Sequence, residues 1–166
     1  MADFQPELVE AAYAEMGATK RQYLGAHNRW QSMLISRRAP KELALYQAVL
    51  GPGDVQRDIT VGDLILTAYG WRLPALWPDL MWETVTDAGG FVLNGALVRR
   101  DPERPAELPA LDRLAPWSCV IDDAARLPDA RQLDPGVTSR WVVQVGERRL
   151  MFVYGLFQTQ TSTGAG

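Results

Sequence analysis

The apolar periodicity of this chain changes once, at Gly51-Pro52-Gly53. Before that point apolar residues recur at helical spacing. After it they fall in short β-branched and aromatic runs broken by turn residues. The switch restricts the fold to the α+β class. A helical segment of two to three short helices is expected over 1–50, and a mainly antiparallel β body over 51–158. The body should be barrel- or sandwich-like, with long Pro-rich loops. Residues 159–166 are small and polar, and should be flexible unless a partner holds them. A chain of 166 residues can enclose one real core but hardly two.

Within the helical segment, Pro6 suits a first turn, with Asp3 upstream. Leu8 and Ala12, and Val9, Tyr13 and Met16, then recur at helical spacing, and Gly17 fits a left-handed cap. Thr19 and Gln22 have the spacing of a capping box. The helix they open places Tyr23, His27, Trp30 and Leu34 on one face, so His27 reads as a buried or half-buried structural residue. Pro40 fits the first position of a third helix carrying Leu43, Tyr46 and Leu50.

In the body, Ile59 to Tyr69 reads as one strand, with Gly62-Asp63 as the place where it can bend. Gly70 to Asp79, with Pro74 and Pro78, reads as an irregular loop. Met81–Thr86 and Phe91–Arg99 flank Asp87-Ala88-Gly89-Gly90 as a hairpin, although Asn94-Gly95 offers a second turn. Asp101–Pro116 reads as a surface loop, Trp117–Asp122 as a short strand, and Asp123–Ser139 as irregular. Arg140–Val145, a turn at Gly146-Glu147 and Arg148–Gln158 form the clearest hairpin. Both its faces are largely apolar. Trp141, Met151, Val153 and Phe157 are therefore candidates for contact with a neighbouring subunit.

The feature that speaks most to function is charge. Thr19 to Lys41 carries six cations (Lys20, Arg21, Arg29, Arg37, Arg38 and Lys41) and no acid, in a chain of net charge -3. Exposed helices ordinarily mix signs, so a basic face in an acidic protein points to an interaction partner. Arg37 and Arg38 favour the helix dipole at a C-terminal end, whereas Lys20 and Arg21 oppose it at an N-terminal end and call for an external anion.

Chemistry is less legible. Cys119 is the single cysteine, which excludes an internal disulfide, and its apolar neighbours make it a core residue. Asp122, Asp123 and Glu83 could serve a metal-dependent hydrolase, but no catalytic spacing motif accompanies them. No cofactor or metal is expected. No apolar run is long enough to span a bilayer, and Met1–Glu7 lacks a leader pattern, so a cytoplasmic location or a particle assembled there is expected. The expectation is a non-enzymatic assembly protein, a small structural or connector subunit of a phage-like particle. Its partners would be other protein subunits in a homo- or hetero-oligomer. A nucleic-acid-binding accessory role for the basic 19–41 helices is the alternative, and the small hydrolase is a further one.

Overall fold

The computed structural model describes residues 4–134 and 136–163. Asp3, Pro135 and the last three residues of the expected tail lie outside them. Three helices come first: α1 (Pro6–Glu15), α2 (Lys20–Ile35) and α3 (Glu42–Leu50). Two four-stranded antiparallel meanders follow. The first runs in order β1 (Val55–Val61), β2 (Leu64–Leu73), β3 (Trp77–Thr86) and β4 (Val92–Arg99). The second comprises β5 (Arg131–Leu133), β6 (Arg140–Val145), β7 (Arg148–Val153) and β8 (Leu156–Ser162). Between them lie a 3-10 turn at Leu111–Arg113 and the short α4 (Ile121–Ala125). The fold is α+β, with two open sheets and no closed barrel among the described residues.

Several local signals act as expected. The Gln22 N–H donates to Thr19 Oγ1 at 3.3 Å, and the Thr19 N–H to Gln22 Oε1 at 2.8 Å, which completes the capping box. Gly17 adopts φ +68 just past α1. Asp87 turns the β3–β4 hairpin by accepting the N–H groups of Gly89 and Phe91 at 2.8 and 2.9 Å.

Other segments differ. The strand expected over Ile59–Tyr69 is two strands, because Gly62 takes φ +59 and Gly62-Asp63 closes a tight hairpin between Val61 and Leu64. Gly70–Asp79 is mostly strand: only residues 74–76 turn, closed by the Leu76 N–H on the Leu73 carbonyl. A register shift at Arg72/Leu73 lies opposite the end of β3 that carries Pro78, where a missing N–H is tolerated. Asn94-Gly95 is no turn. Gly95 sits inside β4 beneath the Trp82 ring, and a Cβ there would lie 2.8 Å from Trp82 Cζ2. The third helix begins at Glu42, two residues after Pro40.

Trp117–Ile121 runs beside the start of β8 through three backbone bonds, Trp117 N to Phe157 O, Phe157 N to Cys119 O and Ile121 N to Gly155 O. It forms only one isolated bridge, Val120 with Leu156, before the chain turns helical at Ile121. The long last strand expected over Arg148–Gln158 breaks at Tyr154 (φ +49) and Gly155 (φ +82), so β8 folds back on β7. Asp123–Ser139 contains the end of α4 and β5.

The main core lies where β4, α4 and the second sheet meet. Ala96, Leu114, Cys119, Ile121, Ala124, Trp141, Val143, Leu150, Phe152 and Phe157 are its buried members. The Leu97 N–H donates to the Tyr154 carbonyl at 2.9 Å and ties the two sheets together.

Candidate interaction surface

The helical layer is anchored to the first sheet mainly through α3. Tyr46 is its hub, with ring centroids 6.0 Å from Trp71, 6.1 Å from Trp82 and 5.7 Å from Trp30 of α2. Glu42 accepts the Val92 N–H at 2.9 Å, and the Trp71 indole donates to the Gly51 carbonyl at 2.8 Å. These contacts fix the base of the layer. They leave α2 as a 16-residue helix with no buried residue.

The helix face proposed for packing is only partly used. Tyr23 and Trp30 are half-buried, whereas His27 is exposed against the Tyr23 ring and Leu34 is exposed as well. His27 is therefore not the buried structural residue expected. The reason is that α1 packs on α2 through Tyr13 and Tyr23, 5.4 Å apart, and leaves the flank near His27 uncovered. Leu24 and Leu34 are exposed, and Ile35 is 84% exposed. Apolar side chains left exposed on a helix that is only partly covered are costly in water.

All six cations of the basic stretch are exposed, and among the described residues none joins an ion pair. Lys41 has an internal role: its Nζ donates to the carbonyls of Met33 (3.2 Å) and Leu34 (2.6 Å), and so satisfies the open C-terminal end of α2. Ser36 Oγ accepts the Arg38 and Ala39 N–H groups and shapes the turn that presents Arg37 and Arg38. Lys20, Arg21, Arg29, Arg37 and Arg38 are left with exposed side chains and no protein acceptor among the described residues.

The apolar hairpin residues are placed differently. Trp141, Val153 and Phe157 are buried by their own chain, and Met151 keeps partial exposure. A partner can reach little of this group. A second exposed apolar feature is hidden in the sequence, where β1 and β2 read as one strand. Val61, Leu64 and Ile65 stand out around the β1–β2 turn, with Ile65 69% exposed. The Gly-Asp dipeptide between alternating apolar residues was the available signal.

Of the candidate chemical residues, Asp123, Glu83 and Cys119 are engaged in the structure of the chain itself. Asp123, with a fully buried side chain, receives Arg99 Nε and Nη2 at 3.1 and 2.8 Å and the N–H groups of Val120 and Ala106. Glu83 pairs with Arg57 at 2.9 Å. Asp122 has no hydrogen-bond or ion-pair partner among the described residues and is exposed as a whole residue, although partial desolvation of its carboxyl and the neighbouring Asp123 charge raise its pKa. No group of three potential metal ligands occurs among the described residues. Cys119 is 1% exposed, and burial pushes its thiol up to about 12. The native protein should therefore resist a thiol reagent such as DTNB at pH 8, and release one equivalent of reactive thiol only in denaturant. Rapid native labelling would show that the Cys119 site opens readily.

Fold and surface together define an α+β protein of two antiparallel meanders that carries a thinly attached, basic helical layer. The chain matches no family model, no curated protein and no solved structure. No helix among the described residues is long and apolar enough to cross a membrane.

Proposed function

We propose that this chain is a non-enzymatic assembly subunit, a connector-like component of a larger phage-like particle, which docks to neighbouring protein subunits through its helical layer. The observation that carries the reading is α2, which has no buried residue, exposed apolar side chains and cations without protein acceptors. A protein partner covers both at once: apolar burial supplies affinity, and acidic groups opposite the cations supply orientation and rate. A nucleic acid would use the cations and leave Leu24, Leu34 and Ile35 uncovered. Trp30, the residue suited to base stacking, is already engaged with Tyr46. The phage-like setting is an analogy from size and architecture.

The test is co-sedimentation of the full chain from native extracts on a density gradient, with size-exclusion and light scattering of the purified protein. Wild type should travel in a high-mass fraction. The triple variant Lys20→Glu, Arg21→Glu, Arg29→Glu should leave that fraction, with about ten-fold weaker association and an unchanged melting temperature. A wild type found only as a lone chain would sink the proposal. Retention on duplex DNA that collapses between low and moderate salt would turn the reading toward nucleic acid.

A further inference from the structure

The geometry points to a second interaction surface: the open edge of β1, which pairs with β1 of a second copy of this chain. This names a partner for the assembly reading and rests on it.

β1 is the one long edge left open among the described residues. The sheet order places it outermost, and Val55–Val61 make backbone hydrogen bonds only with β2. The other edges are engaged or short. β4 bonds to Tyr154 and to the Glu42 side chain, Trp117–Ile121 lies along the start of β8, and β5 has three residues. Edge strands of soluble proteins are normally blunted by proline, lysine or a bulge. β1 has no proline, lysine or bulge, its two charges are already engaged, Arg57 with Glu83 and Asp58 with Thr67, and its register runs unbroken from Val55 opposite Gly70 to Val61 opposite Leu64.

The pattern of β1 selects a second copy as occupant. In an antiparallel pair related by a two-fold axis, each sheet face continues across the junction, so one residue must lie opposite its own copy. Centring on Arg57 or Asp58 sets like charges against each other. Centring on Ile59 avoids this and keeps a five-residue overlap, 57–61. Ile59 then faces the second copy's Ile59, which extends the existing Ile59–Leu66 pair into an apolar row of four side chains. On the opposite face, Asp58 meets the second copy's Thr60. Asp58 already accepts a hydroxyl hydrogen bond from Thr67 at 3.2 Å, so the new contact repeats chemistry present on its other side. Val61 lies opposite the second copy's Arg57, whose aliphatic stem can lie over it.

A five-residue junction is small compared with a standard protein interface, so the pairing should be concentration-dependent. The experiment uses the full chain in light scattering over roughly 1–100 μM, the range suited to small interfaces. Wild type should shift from monomer to dimer. Ile59→Lys and Ile59→Glu should each weaken the dimer at least about ten-fold through like charges at the axis. An equimolar mixture of the two should restore a dimer, since only the Ile59-centred register sets them face to face. Mild oxidation should cross-link the Ile59→Cys variant efficiently and the Val55→Cys variant poorly; Cys119 is buried and does not compete. A wild type that stays monomeric, or a dimer indifferent to both Ile59 variants, would overturn the proposal. Its failure is separable from that of the assembly reading. Loss of the β1 dimer with intact high-mass assembly rejects this edge alone, whereas an intact dimer with no high-mass assembly rejects the helical-layer reading alone.

Discussion

Gly155→Ala should cost about 3–5 kcal/mol and lower the melting temperature by roughly 10 °C or more. Two effects add. Gly155 sits at φ +82, a conformation that L side chains adopt only with strain. A Cβ there would also overlap the Leu97 carbonyl oxygen and lie 3.0 Å from the Leu97 nitrogen and 3.2 Å from Ala96 Cβ. The backbone cannot move aside cheaply. Leu97 N–H is bonded to Tyr154, and the Gly155 carbonyl accepts from Ile121. Three segments, β4, the β7–β8 turn and the entry to α4, converge on one missing side chain. Gly146→Ala is the control: φ is +57, but an added Cβ meets nothing within 4 Å. It should lose only about 1 kcal/mol, the backbone component alone. Urea titration of both variants separates the components. A Gly155→Ala protein within a degree or two of wild type would mean that the two sheets are not locked at this point.

The same turn shows why some of the fold was legible and some was not. Signals confined to a few residues are legible: the Thr19/Gln22 box, Gly17 after α1 and the Asp87 turn depend on bonds within four or five positions. Gly155 gave no such signal. Its necessity comes from Leu97, a long-range neighbour, and nothing in Tyr154-Gly155-Leu156 distinguishes a turn from a continuing apolar strand. Gly95 is the mirror case, since a turn-like dipeptide is held in a strand by the ring of Trp82. For the interaction surface, sequence located the cations but not their availability. Lys41 resembles the other five until its Nζ is found on the carbonyls that end α2. Likewise, the two-sided apolar character of Trp141, Val153 and Phe157 fits a buried central strand as well as an interface, and only packing against β4 and α4 decides between them.

Asp123→Ala should destabilise the protein by about 3–5 kcal/mol, because it strands a largely buried Arg99 and orphans two backbone donors. Arg99→Met should cost less, since the carboxylate keeps the N–H groups of Val120 and Ala106. The pH dependence follows from the direction of the Asp123 shift. Burial alone would raise its pKa, but the hydrogen bonds from Arg99, Val120 and Ala106 outweigh burial and hold the carboxyl below the ordinary range. A depressed carboxyl contributes stability that is fully present above its unfolded pKa, about 4, and is lost as pH falls through the folded value. Wild-type stability in urea should therefore decline below about pH 4, and the decline should be shallower in Arg99→Met and shallowest in Asp123→Ala. If the three proteins lost stability in parallel on the acid side, the Arg99–Asp123 pair would not be the group that titrates. This pair also clamps the loop at Ala106 to the start of α4. Its loss should thus expose the 101–116 segment to proteolysis before the sheets unfold. Early cleavage there in Asp123→Ala, with none in Gly146→Ala, would separate local release of the loop from general loss of stability.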